Sequence, residues 1–83
     1  MNMDRAIFDL KISVEATSLY ILLCALMDAG QAPTMENALL KWTGTEESLT
    51  TAALELMGRC IIRGAVPIPR DMHLHPNTSD RWC

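Results

Sequence analysis

Ala38-Leu39-Leu40-Lys41-Trp42-Thr43-Gly44-Thr45-Glu46-Glu47-Ser48-Leu49 is the stretch on which the reading of this chain turns. Its first half continues a stripe that begins upstream. Met35, Ala38, Leu39 and Trp42 fall at i, i+3, i+4 and i+7, one face of a helix. Thr43-Gly44-Thr45 breaks that helix. Thr43 and Glu46 have the spacing of a capping box, and Thr45 is an alternative cap. Leu49 then opens a second stripe, continued by Ala52, Ala53, Leu56 and Cys60. The stretch therefore predicts a short helix over about 35–42, a tight turn, and a helix over about 46–59. Alanines 52 and 53 leave room for another helix to approach. Leu54 lies about 140° from Leu49 around the helix, at about 100° per residue. It is the large residue off the stripe.

Upstream, Thr34 is the cap of the short helix and Glu36 suits its first turn. Ser13 and Glu15 stand in the same relation to an earlier helix over about 14–28, which Gly30 should end. Residues 19–27 are an unbroken apolar run, so this helix is expected at the centre, covered on all sides. Residues 1–12 form an arm, extended or briefly helical; Phe8, Leu10 and Ile12 alternate, which favours an extended segment laid on the core. Downstream the period changes. Residues 61–68 are rich in β-branched residues, Pro69-Arg70-Asp71 is turn chemistry, and residues 72–75 alternate, as in a returning strand. Pro67 and Pro69 confine any such hairpin to an edge or an irregular form.

Long helix, short helix, tight turn, third helix, then a hairpin: in this order the chain resembles the winged helix-turn-helix superfamily. Residues 38–49 correspond to the helix-turn-helix, and residues 56–62 to the end of the third helix entering the wing. The expected fold is mainly α: a three-helix winged-helix-like domain with a short C-terminal β-hairpin. A plain three-helix bundle with an irregular tail is the alternative. Residues 1–83 are read as one domain, with residues 1–12 the arm, 13–74 the core and 75–83 the tail. The resemblance implies that the third helix is a recognition helix and that the hairpin can touch flanking DNA backbone. Two departures stand out. Cys60 occupies a position where the family often has glycine, and the third helix opens with Glu46 and Glu47, which repel phosphates.

Charge narrows the function. The chain has 83 residues, a net charge of −3, 49% hydrophobic and 20% charged residues, so neither a polybasic coat nor a disordered chain is expected. The acid is concentrated early: residues 1–40 balance at −3, whereas residues 58–83 balance at +2. A DNA-binding module would use Ser48, Thr50 and Thr51, with Arg59, Arg63 and Arg70 positioning the phosphate backbone. A protein-interaction module on the same scaffold would use Glu46, Glu47, Leu54 and Trp82. Its partner would be another protein or a second copy of the chain. Trp82 has a competing role, packing the tail back onto the domain.

No catalytic constellation is present. Ser79, Asp80 and the histidines are close in sequence only, and the four glycines are isolated rather than gathered into a phosphate loop. The chain is read as a non-enzyme without cofactor, metal or small-molecule substrate. His73 and His75 would share one side of a strand, two ligands short of a zinc site. The longest apolar run is half a membrane span, and no secretory signal is recognised at residues 1–11. Cys24 and Cys60 fall on apolar helix faces and read as buried thiols, with Cys83 reactive in air. The expectation is a soluble cytoplasmic protein.

Overall fold

Ser13 starts the first long helix with its own side chain. In the computed structural model, which describes residues 5–64, 71–77 and 79–82, Ser13 is extended and its Oγ accepts the N–H of Ala16 at 3.1 Å. Helix α1 follows over Val14–Asp28. It ends in a Schellman motif: Gly30 N–H donates to Met27 O and Gln31 N–H to Leu26 O. Gly30 has φ 78°, the left-handed conformation this ending needs. Thr34 caps α2, Met35–Lys41, by accepting the N–H of Asn37 at 3.1 Å. Thr45 caps α3, Glu46–Gly58, by accepting the N–H of Ser48 at 3.1 Å. Of the two caps the sequence offers, the backbone uses Thr45, and Thr43 stays in the turn.

The end of α3 repeats the ending of α1 without its glycine. Cys60 N–H donates to Met57 O and Ile61 N–H to Leu56 O, both at 3.0 Å, and Cys60 has φ 58°. It stands where α1 has Gly30, at a cost of about 1–2 kcal/mol for an L side chain. The stripe reading of Cys60 is thus corrected. The residue turns the chain out of the helix rather than extending its apolar face.

The core is made by α1 lying against α3 and α2. Ala16, Leu19, Tyr20, Leu23 and Leu26 come from α1, Leu49, Ala52, Ala53 and Leu56 from α3, and Met35 and Ala38 from α2. Ile61, Ile62 and Leu74 close the far end. The expectation that α1 is covered all round does not hold: Ile21 is 39% and Met27 43% exposed. A domain this small has too few elements to cover a fourth side. The arm also differs from an extended segment. It is a 3₁₀ turn over Arg5–Asp9, and Ile7, not Phe8, is its anchor in the core.

Helices dominate, and no strand occurs among the described residues. The expected β-hairpin is not shown there: residues 61–64 and 71–77 carry two isolated antiparallel bridges, Ile62↔Pro76 and Thr34↔His73, and the second pairs with the cap of α2 rather than within a hairpin. Arg63 N–H donates to His75 O and Asn77 N–H to Ile61 O, so residues 75–77 do return beside 61–63. A ladder cannot run through Pro76, which has no N–H. Residues 65–70, including Pro67, Pro69 and Arg70, lie outside the described residues.

One long-range contact ties α3 to the start of α1. Glu55 accepts from Ser13 N–H at 2.8 Å and from Ser13 Oγ–H at 3.0 Å. Glu55 thus serves as an external cap for α1, 42 residues away in sequence. Glu55→Ala leaves a part-buried N–H without its acceptor and is expected to cost about 1–3 kcal/mol in urea denaturation. Glu55→Gln, which keeps an acceptor oxygen, should recover at least part of this loss. Equal stability for Glu55→Ala and the wild type would show that water replaces the carboxylate freely.

Candidate functional site

The turn between α2 and α3 is held rigid by a relay of side chains. Trp42 caps α2 in an extended conformation, so its indole folds over the start of α3. Its Nε1–H donates to Ser48 Oγ at 2.9 Å, and the Ser48 hydroxyl donates in turn to Thr45 O at 2.8 Å. Gly44 permits this. A Cβ there would stand 2.7 Å from Ser48 Oγ and 2.9 Å from Trp42 Nε1. Trp42 is half-buried rather than a full core residue, and one part of its ring is left facing outward.

Opposite this turn stands a face of α1. Val14, Ser18 and Leu22 are spaced i, i+4 and i+8, so they line up along the helix. Together with Lys41 and Trp42 they line an open depression of about 400 Å³. Val14 is 79% exposed. A second depression of about 380 Å³ adjoins it, lined by Glu15, Thr45, Glu47 and Glu55 among others. The two share Glu15 and Ser48. The result is a trough with Leu22, Trp42 and Lys41 toward one end, Glu47 and Glu55 toward the other, and Glu15 between them.

The residues assigned to DNA recognition are placed differently. Thr50 and Thr51 hydroxyls donate to Glu46 O and Glu47 O, each at 3.0 Å, one turn back in their own helix. The Ser48 hydroxyl is spent on the turn. Arg59 and Arg63 are exposed beyond the other end of α3, and Arg63 Nε–H donates to Asn77 Oδ1 at 3.1 Å. Arg70 lies outside the described residues. Ser48, Thr50 and Thr51 therefore sit at the acidic end of α3, and Arg59 and Arg63 at its C-terminal end.

Of the residues assigned to protein binding, Glu46, Glu47 and Leu54 are exposed on α3, with Leu54 at 39%. Trp82 is not with them. It is half-buried, packed edge-on to Tyr20 with ring centroids 5.7 Å apart, and its Nε1–H donates to Asn77 O at 3.0 Å. This is the tail-packing role.

Cys24 is buried in the core and free. Burial pushes its thiol above the ordinary range, and a hydrogen bond with the Tyr20 side chain pulls less strongly the other way. It is an unreactive thiol, as a core position implies. Cys60 is disulfide-bonded, which corrects the expectation of a second free thiol. Cys83 lies outside the described residues. His73 and His75 do share one side, with their rings stacked at 5.5 Å. No group of three metal-ligating residues occurs among the described residues. No described helix is long and apolar enough to cross a membrane.

Sequence reasoning missed Val14, Glu15, Leu22 and Trp42 as a group. The only signal available was the i, i+4, i+8 spacing on α1, which the surrounding apolar run conceals. Comparison with family models, curated proteins and solved structures returns no match.

Proposed function

We propose that this protein is a small non-enzymatic binding module that holds a segment of another protein in the trough between α1 and the α2–α3 turn. The observation that carries the reading is the adjacency of two depressions that share Glu15: one where Val14, Leu22 and Trp42 offer apolar surface beside Lys41, and one where Glu47 and Glu55 add to the acid. Such a surface suits a segment that places an apolar side chain next to a lysine or arginine. The internally spent hydroxyls of Ser48, Thr50 and Thr51 support this reading over DNA recognition by α3. A hydroxyl that has given its proton to a carbonyl can still accept but has no donor left for a phosphate, and Glu46 and Glu47 oppose phosphate contact further. We read the scaffold as winged-helix in type. The helix order and the Ile62↔Pro76 bridge, which flanks residues 65–70, support that.

Titration of the ¹⁵N-labelled protein with amphipathic peptides that carry Leu-Lys or Phe-Arg pairs tests the proposal. Shift changes should gather at Val14, Ser18, Leu22 and the Trp42 indole. Glu15→Lys with Glu47→Lys should weaken the peptide at least about tenfold, because two attractive charges become repulsive. A DNA duplex at about 50 mM salt should leave the spectrum unchanged. Duplex-induced shifts along α3 and at Arg59 and Arg63, or silence toward every peptide, would overturn the reading.

A further inference from the structure

We infer that His73 and His75 together chelate a late first-row divalent cation, of the class of Ni²⁺, Cu²⁺ and Zn²⁺, on the outer side of residues 71–77. Residues two apart in an extended chain fall on one side of the backbone. These two do. Both imidazoles are exposed, and Leu74 between them is fully buried. Burial of Leu74 thus turns the two rings outward together. Their centroids stand 5.5 Å apart.

That separation suits a shared ion. Metal–nitrogen bonds to imidazole are about 2.0–2.1 Å long, and two of them at a tetrahedral or octahedral angle set the ring centroids about 5 Å apart. The ring planes are 26° from parallel. In that pose the lone pairs do not converge, so one ring has to turn about χ2, a broad torsion that resists little. The adjustment is confined to an exposed side chain.

The backbone beneath the rings is already held. Leu74 N–H donates to Pro33 O at 2.8 Å, and His73 bridges to Thr34, the cap of α2. His75 O accepts from Arg63 N–H at 2.9 Å. Three consecutive residues are therefore pinned to two different parts of the fold. Ligands placed beforehand lose little freedom on binding.

The ligand atoms choose the metal. Imidazole nitrogen suits Zn²⁺, Cu²⁺ and Ni²⁺, whereas Mg²⁺ and Ca²⁺ take oxygen. The described residues hold no group of three metal-ligating side chains, so water completes the coordination. The ion is thus bound reversibly, unlike a structural zinc enclosed by four protein ligands. Arg63 brings a positive charge to the same segment, with its Nε–H on Asn77 Oδ1, and this tempers the affinity. Neither histidine lines the trough, so the two proposals stand or fall separately.

The test is titration of the full chain, carrying no histidine tag, with Ni²⁺ by calorimetry and with Zn²⁺ by NMR of the imidazole resonances. One ion should bind per chain, and both rings should respond together. His73→Asn and His75→Asn should each weaken binding about tenfold or more, because the second bond of a chelate forms within one molecule. Both rings are exposed, so neither change should disturb the amides of α1 and α3. Mg²⁺ at the same concentration should leave the spectrum as it was. If the histidines act separately, each single variant keeps a site of unchanged affinity, and that result would overturn the inference. So would binding that survives the double variant, or an ion that joins two chains into a dimer in sedimentation.

Discussion

Replacing Leu56 by alanine is expected to remove about 2–5 kcal/mol of unfolding free energy, measured by urea or guanidinium denaturation. A domain of this length holds about 4–12 kcal/mol in all. The loss can therefore leave a large unfolded fraction at 37 °C. Leu56 is fully buried and shares its face of α3 with Leu49, Ala52 and Ala53. The two alanines set a close approach between α3 and α1, where Ala16 is equally buried. Helices already in close contact cannot move in to fill a vacated leucine, so the cavity term adds to the transfer term. Leu56 also supplies the carbonyl that accepts Ile61 N–H at the exit of α3, so a collapse there is felt at the tail. Leu54→Ala is the control. Leu54 is on the same helix but 39% exposed, and its loss should cost well under half as much. Equal losses at the two positions would show that the α1–α3 contact is not the stabilising interface.

Local rules wrote the helices into the sequence. Ser13, Thr34 and Thr45 each cap a helix, and each accepts the N–H three residues on. Gly30 ends α1 as its type suggests. The stripe Leu49, Ala52, Ala53, Leu56 is the buried face of α3. These are nearest-neighbour matters, and a sequence states them directly. Cys60 shows where the local rule stops. Its place in the stripe is correct by angle, yet the helix ends just before it, because the Schellman bonds from Cys60 and Ile61 compete with another turn of helix. Periodicity alone cannot see that competition.

The site was less legible because it is made across elements. Glu55 reads as a solvated residue on α3 until Ser13 arrives beside it from the far end of the first helix. Val14 reads as the first residue of a central helix, but the turn at Trp42 stops short of covering it. Ser48, Thr50 and Thr51 have the right chemistry for polar recognition. What the sequence does not carry is where their hydroxyls point, and each donates to a backbone carbonyl of its own segment. Asn77 is the extreme case. Nothing in Pro76-Asn77-Thr78 distinguishes it from a turn residue, and its importance comes from three partners more than ten residues away, Cys60, Ile61 and Arg63.

Trp82→Ala should lower stability by about 2–4 kcal/mol, a fall of roughly 10–20 °C in melting temperature. The indole is half-buried, so its area term is below that of a fully enclosed tryptophan. Two specific contacts add to it. The edge-on pairing with Tyr20 at 85° is worth about 0.5–1.5 kcal/mol beyond area. The bond from Nε1–H to Asn77 O contributes about 0.5–1.5 kcal/mol more. Trp82→Phe separates the two, since phenylalanine keeps an aromatic ring for Tyr20 but has no donor for Asn77. It should recover about half of the loss. The location of the damage distinguishes packing from a partner-binding role. If Trp82 serves the tail, its removal speeds exchange at Asn77 and exposes Tyr20, while the Trp42 indole signal and peptide binding in the trough stay as they were. A stability change within about 0.5 kcal/mol, accompanied by lost peptide binding, would instead make Trp82 the anchor for a partner.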